Sequence, residues 1–412
     1  MKKRLSVTAL AAAIATLPAG AQDLEERVSS IEESLIGATE VSIGGYVKLD
    51  AQMSRFNRGN RAAAGIGDDF MVPSTIPTDG SNSQINNDFH AKESRINFGT
   101  STETDAGEVS TFIEVDFLGS AQGDERVTNS YSPRLRHAFL TFNDFTFGQT
   151  WTTFMDVRSL PEHLDFVGPV AHDFARNPQI RYSPGNWDFA LENPESTVYT
   201  NEVGRNTAEA DEDIDEIGLT ASYDNNRVPD AVVRYNVPVD TGSLSLSAIG
   251  REIAYSDSVL NDGDSSRESA YGYGLAANAR LPVGDTGNDV RVKLSGGNAM
   301  GRYLGLNAFR AAQIEEDGDV DLIDQFGATV AYHHNWNTQW RSNVSGSYAE
   351  ADNPSSAADG VAKSYSSAHA NLIYSPVENL DLGGELIWGQ RENENGVRGE
   401  LNRVQFSAKL GF

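Results

Sequence analysis

Ten basic residues of this 412-residue chain occupy strand-like positions next to apolar neighbours, where they could bind an anionic ligand. They are Lys48, Arg95, Arg136, Arg181, Arg234, Arg280, Arg291, Lys293, Arg341 and Lys409. A guanidinium group binds a carboxylate through two parallel hydrogen bonds. Glu114 and Asp116 occupy the same kind of position and can form an opposing acidic wall. The pattern predicts an anion-attracting pathway; the alternative for any single arginine is an ion pair that only keeps the structure rigid.

The remaining residues give little indication of enzymatic activity. The sequence contains no G-x-S-x-G, H-E-x-x-H or P-loop motif. Its seven histidines are scattered except for His333 and His334, which would point to opposite faces of a strand. We therefore expect no enzyme, no cofactor and no metal site.

The elements that would position the bases are strands in which apolar and polar residues alternate. Val47, Leu49, Ala51 and Met53 oppose Lys48, Asp50 and Gln52, and the last ten residues alternate in the same way up to Phe412. Charges on a lipid-facing surface cost roughly 2–4 kcal/mol each near the bilayer centre, so the polar face should be wet. Strands of this length suit a tilted crossing of a membrane. The terminal aromatic residue is typical of outer-membrane barrels.

Short and long connections alternate along the chain, as they do between the periplasmic turns and outer loops of such barrels. The long ones are 55–89, 151–176, 193–228 and 297–323. Assigning 217–223 to a loop rather than to a barrel strand preserves the alternation. We predict an all-β fold: a 16-stranded antiparallel transmembrane β-barrel over 38–412.

The N-terminus reads as an export signal over 1–21, with a basic start, an apolar stretch and an A-x-A cleavage site. Leu24, Val28, Ile31 and Leu35 then form a heptad seam, which predicts a periplasmic coiled coil over 22–37. An amphipathic helix or a linker is the alternative. The chain has no cysteine, which excludes disulfides and thiolate metal sites.

The net charge of −27 is concentrated in the loops, around 209–216 and 315–324. We interpret these clusters as solvated loops, with a divalent-cation site that bridges loops or lipopolysaccharide as the alternative. Such an acidic surface argues against nucleic acid as a partner.

The connection from Trp151 to Arg176 is too apolar to lie in solvent, since it carries Phe154, Met155, Leu164 and Phe166. It should fold into the barrel and narrow it, with Arg158, His163 and Asp165 as its polar lining. Packing against a neighbouring protomer is the alternative.

Several blocks of the sequence resemble the DcaP-type trimeric porins of Gram-negative outer membranes. Blocks that carry the resemblance include 45–51, 94–99, 114–117, 134–139, 147–156, 176–182 and 190–195. The resemblance implies a homotrimer of 16-stranded barrels in the outer membrane, in contact with lipid and lipopolysaccharide, that passes small, often dicarboxylic, anions. It also implies anion contacts at Lys48, Arg95, Arg134, Arg136, Arg176 and Arg181. A structural or adhesive barrel without transport is the other interpretation.

Overall fold

The structure is a computed structural model that describes residues 39–119, 123–124, 126–200, 219–223, 225–257, 266–315 and 318–412. Its main feature is a closed antiparallel barrel. In chain order, strands β1 to β16 are Thr39–Phe56, Ile85–His90 with Arg95–Thr104, Gly107–Asp116, Arg134–Phe142, Phe145–Trp151, Arg176–Tyr182, Trp187–Glu192, Asp230–Val237, Ser243–Asp257, Ser266–Val283, Asn288–Gly297, Asp324–Asn335, Trp340–Asp352, Ala362–Val377, Leu380–Asn393 and Arg398–Gly411.

The second strand is interrupted, and this determines the strand count. Ile85–His90 pairs with the upper part of β1, and Arg95–Thr104 pairs with its lower part. The two segments therefore occupy one position in the wall, so the seventeen segments of the sheet form sixteen barrel strands. β1 pairs with β16 from Tyr46 to Phe56, which closes the barrel. The predicted count of sixteen is confirmed.

The two faces of the wall follow the predicted alternation. Val47 and Leu49 are exposed on the outer face, whereas Lys48 and Asp50, which alternate with them, are buried inside. In β15, Leu386 is 61% exposed and its neighbour Glu385 is 1% exposed. This contrast gives the barrel an apolar outer surface and a polar interior, as a strand between lipid and water requires.

The long loops fold over and into the barrel. Ser196–Thr200, Leu219–Tyr223, Ala312–Ile314 and Val320–Leu322 form a separate four-stranded sheet. Leu219–Tyr223 thus lies outside the barrel wall, in agreement with the assignment of 217–223 to a loop. Three-residue helical turns, at Pro73–Thr75, Val157–Ser159 and Gly301–Tyr303, and a short helix at Ile66–Asp69 complete these loops.

In the described ranges, no helix has both the length and the apolar character needed to cross a membrane. The predicted export signal at 1–21, the predicted coiled coil at 22–37 and the acidic cluster at 209–216 lie outside the described residues.

The loop that connects β5 and β6, residues 152–175, crosses the interior, and we call it the inner loop. Its backbone accepts hydrogen bonds from Lys48 and Gln405 at Leu164 and from Asn371 at Glu162. The backbone amides of Val170 and Ala171 donate hydrogen bonds to the hydroxyl groups of Ser367 and Ser347 in the wall. Because these partners come from β1, β13, β14 and β16, the inner loop is fixed across the barrel of its own chain, as predicted.

Candidate functional site

Several arginines meet on the inner wall of β2, β3 and β4. Arg134 donates two hydrogen bonds to Asp116, at 2.9 and 2.8 Å. Arg136 bridges the two acids, with Nε 2.7 Å from Glu114 and Nη1 2.8 Å from Asp116. Arg95 lies 3.4 Å from Glu114. The structure therefore brings these five predicted residues together, and the acids hold the arginines side by side.

A β-bulge positions Arg136. The register between β3 and β4 shifts between Glu114 and Val115, so Arg136 is left unpaired in the ladder. A bulge turns the extra residue towards the side of its neighbour, and Arg136 and His137 are both buried. Arg134 is two residues away and faces the same side, so the bulge places three polar side chains where regular alternation would place two.

Arg176, at the start of β6, extends this group and differs from the others in its surroundings. Its guanidinium lies over the rings of Trp151, at 4.8 Å, and Phe174, at 5.2 Å. Its buried Nη1 has no hydrogen-bond partner, and no ion pair involves it within the described part of the chain. We call Arg95, Arg134, Arg136, Arg176, Glu114 and Asp116 the arginine cluster. Its four guanidinium groups face two carboxylates, which leaves an excess of two positive charges.

The inner loop supplies aromatic rings to the arginine cluster. Phe166 lies beneath the guanidinium groups of Arg134 and Arg136, 5.4 and 5.2 Å from their centres. Phe166 and Phe174 meet edge to face at 6.2 Å. Cation–π contacts of this kind orient a guanidinium group without neutralising its charge.

A cleft of about 560 Å³ opens beside the arginine cluster. Arg134, Arg176 and Arg302 line it together with Asn177, Gln149 and the ring of Phe174. Arg302 donates to the side chain of Asn177 and to the carbonyl oxygen of Asn193, 2.9 Å away. Both partners of Arg302 are neutral, so its charge adds to the excess at the cleft.

Lys48 and Lys293 were predicted as pore-lining bases, but both are enclosed. Lys48 is 4% exposed and donates to Glu93 and to the carbonyl oxygen of Leu164, the latter at 2.7 Å. Lys293 is 1% exposed and lies 3.7 Å from Asp173 of the inner loop. These two ammonium groups anchor loops to the wall in this structure.

Arg158, Arg181 and Arg291 lie away from the arginine cluster and bind groups of the protein. Arg158 makes a bidentate contact with Asp156 at 2.9 and 2.7 Å. Arg181 donates to Gln179 and to the carbonyl oxygen of Trp151. Arg291 contacts Asp289 at 2.6 Å and the carbonyl oxygen of Leu160. None of the three contributes to the cleft.

Asp156 shows how the inner loop is held by charge. Burial alone would raise the pKa of the Asp156 carboxyl, but hydrogen bonds from Arg158 and Ser245 outweigh it and leave the pKa below its ordinary value. Asp156 therefore remains ionised at neutral pH and joins the inner loop to β9.

Sequence reasoning missed several residues that shape the site. Arg302 lies in a loop with no alternating pattern, and Phe174 was not singled out within the inner loop. Glu93, the partner of Lys48, lies in the interruption of β2, where the period of two breaks. The interruption was the available signal. Where the alternation breaks, an acid such as Glu93 can turn to the inner face and pair with a base there, as it does with Lys48.

A closed 16-stranded barrel with an apolar exterior, a polar interior and a loop folded inward defines a porin-type channel of the outer membrane. The sequence comparison agrees and is more specific. A family model described as "DcaP outer membrane protein" matches residues 23–195 and 209–412. The chain therefore belongs to the DcaP outer membrane protein family, and the predicted family and outer-membrane location are confirmed.

Solved structures show the same fold. The outer membrane channel DcaP of Acinetobacter baumannii is 21% identical, with a TM-score of 0.71 over 92% of this chain and 98% of that chain. OmpT of Vibrio cholerae, in a trimer form, is 12% identical, with a TM-score of 0.51 over 91% of this chain and 100% of that chain. No curated protein sequence matched.

Proposed function

We propose that this protein is a passive outer-membrane channel that prefers small anions, with the cleft beside the arginine cluster as its anion-binding site. The observation that carries the proposal is the guanidinium of Arg176, which packs against two rings without a carboxylate partner among the described residues. A carboxylate of the solute would supply the missing counter-charge.

The composition of the cleft favours dicarboxylates over monocarboxylates. Arg134 is paired with Asp116, but Arg302 and Arg176 line the cleft without a carboxylate partner among the described residues, so two positive groups are available to one solute. Asn177 and Gln149 add neutral hydrogen-bonding groups, and Phe174 adds an apolar surface. A solute with two carboxylates and a short apolar body matches this arrangement.

Homotrimeric assembly is part of the same proposal. It is supported by family membership and by the likeness to OmpT, which is described in a trimer form. The apolar outer face, with Leu49, Phe89 and Leu135 exposed, would contact lipid, lipopolysaccharide or neighbouring protomers. A coiled coil over 22–37 would add a periplasmic connection between protomers.

The test is the reversal potential of the purified channel in a planar bilayer under a salt gradient. The double variant Arg176→Gln/Arg302→Gln should lower the ratio of anion to cation permeability several-fold and weaken block by dicarboxylates. The charge-matched control is Arg280→Gln/Lys409→Gln, which removes two bases that already have carboxylate partners. Equal reversal potentials in all three proteins would refute the proposed site. A wild-type channel without anion preference would refute the proposed selectivity.

A further inference from the structure

Two histidines and a glutamate meet where the inner loop touches the wall of β14 and β15. His163 of the inner loop, His369 of β14 and Glu385 of β15 each offer a ligand atom within 4.8 Å of the other two. The two imidazole rings lie face to face, with centroids 4.5 Å apart and planes inclined by 27°. His369 and Glu385 meet through the pairing of β14 and β15, and the inward fold of the inner loop brings His163 to them.

Both imidazoles have one nitrogen engaged and the other without a partner. His369 Nδ1 lies 2.8 Å from Glu385 Oε1, and His163 Nε2 lies 2.9 Å from the hydroxyl of Ser345. The remaining nitrogens, His163 Nδ1 and His369 Nε2, are buried without a hydrogen-bond partner. Leaving a buried polar atom unsatisfied costs about 1–3 kcal/mol, so one such nitrogen on each of the two stacked rings calls for an explanation.

A metal ion would account for the arrangement. Imidazole nitrogen and carboxylate oxygen form the ligand set that Zn²⁺ and related transition metals prefer. Both oxygens of Glu385 are engaged in this structure, Oε1 by His369 Nδ1 and Oε2 by the amide of Leu164 and the side chain of Asn371. Metal binding would therefore exchange the contact between Oε1 and His369 for bonds from both groups to the ion. Tetrahedral bonds of 2.0–2.2 Å place ligand atoms roughly 3.4 Å apart, so the three side chains need only a small inward movement.

The charge at the position is compatible with a divalent ion. Glu385 is 1% exposed and provides one negative charge, and the buried carboxylate of Asp165 lies on the inner loop two residues from His163. A second group of potential ligands, Asp69, Asp88 and His90, differs in this respect. There the ammonium of Lys92 already lies 2.6 Å from Asp69, so the protein supplies the cation itself.

We propose that His163, His369 and Glu385 bind a divalent transition-metal ion of the zinc type, which would fasten the inner loop to the barrel wall. Ligands from both the loop and the wall make the ion a cross-link across the barrel. This inference does not depend on the anion preference proposed above, because it concerns how the inner loop is held and not what passes it.

The test uses the full-length chain folded in detergent, stripped with a chelator and titrated calorimetrically with ZnCl₂. We expect one saturable site per chain, with no competition from MgCl₂, since Mg²⁺ prefers six oxygen ligands. His163→Ala and His369→Ala should each weaken zinc binding by about 100-fold or more. His334→Ala, outside the cluster, is the matched control and should bind as the parent protein does.

Anomalous scattering at the zinc edge from soaked crystals tests the position independently of any variant. A peak between His163, His369 and Glu385 would establish the site even if His369→Ala fails to fold. Absence of saturable zinc binding, a peak elsewhere, or unchanged binding in folded His163→Ala protein would overturn the proposal. In that case the two imidazoles are packing groups that stack without a metal.

Discussion

The arginine cluster and the wall that faces it, β10 to β16, differ in how the charges of their basic residues are compensated. On the facing wall each base named here has a carboxylate within 4.0 Å: Arg280 and Arg291 share Asp289, Lys293 faces Asp173, and Arg341 and Lys409 meet Asp381. In the arginine cluster, by contrast, three guanidinium groups share two carboxylates, and Arg176 has no carboxylate partner among the described residues.

The inner loop causes this difference. Towards the facing wall it presents acids, with Glu162 held by Arg341 at 2.7 Å and Asp173 beside Lys293. Towards the arginine cluster it presents the rings of Phe166 and Phe174. Acids neutralise bases and fix the loop, whereas rings orient bases and leave their charge available. One loop thus supplies acids to the bases of one wall and only rings to the other, whose excess positive charge is what the proposed anion preference requires.

The largest effect on this contrast should come from Asp116→Asn. Asp116 is fully buried between Arg134 and Arg136, so its loss leaves two guanidinium groups with Glu114 as the remaining acid. Breaking a buried pair costs about 3–5 kcal/mol, and we expect the free energy of unfolding in detergent micelles to fall by about that amount. Asp289→Asn is the matched variant on the facing wall, where Arg280 remains partly solvated, and it should cost less. An equal loss for both variants would contradict the distinction between the walls.

The second-largest effect should come from Lys293→Met, and the stability of this variant should depend on pH. Burial raises the pKa of the Asp173 carboxyl above its ordinary value, and the charge of Lys293 opposes this rise. Without Lys293 the folded protein should bind a proton at Asp173 more readily than the unfolded chain does. Stability should therefore increase as the pH falls through the raised pKa towards the ordinary pKa of a carboxyl group.

Urea unfolding of the Lys293→Met variant at pH 8 and pH 5 measures this slope against the parent protein. In the variant Lys293→Met/Asp173→Leu the slope should disappear, because no buried carboxylate remains, and the stability should approach that of the parent. A Lys293→Met protein that loses stability on acidification would refute the assignment.

Phe174→Leu should have a moderate effect, confined to the arginine cluster. The substitution keeps an apolar side chain but removes one of the two rings that hold the guanidinium of Arg176. Such a contact is worth about 0.5–1 kcal/mol, so dicarboxylate block of the channel current should weaken about two- to fivefold. Phe326→Leu, on the exposed outer face, is the control and should leave block unchanged. If the two variants behave alike, the ring does not position Arg176.

The sequence predicts the wall of this protein better than its interior. The period of two in β1 and β16, and the short and long connections, suffice to predict sixteen strands and the inward position of Lys48 and Arg403. These are local properties, since the face of a residue depends on its immediate neighbours.

Which group each inward-facing basic residue contacts is not determined by its neighbours in the sequence. Whether a base meets an acid, a ring or a carbonyl group depends on where the inner loop lands, and the loop has no period to read. Lys48 binds the loop at Leu164 across 116 residues, and Arg176 meets Phe174 from the same loop. Arg302 reaches the cleft from a separate loop. The sequence therefore identifies the basic residues but not which of them retain an uncompensated charge.

The smallest effect should come from Arg280→Gln. This variant tests whether solvent exposure determines how much an ion pair contributes to the free energy of unfolding. Arg280 contacts Asp289 at 2.8 Å, but its side chain is 45% exposed. A solvated ion pair contributes about 0–1 kcal/mol, and Arg291 remains to hold Asp289 at 2.6 Å. The free energy of unfolding and the reversal potential should both stay close to those of the parent protein. A loss comparable with that of Asp116→Asn would mean that the facing wall depends on its outermost arginine as strongly as the arginine cluster depends on its buried acid.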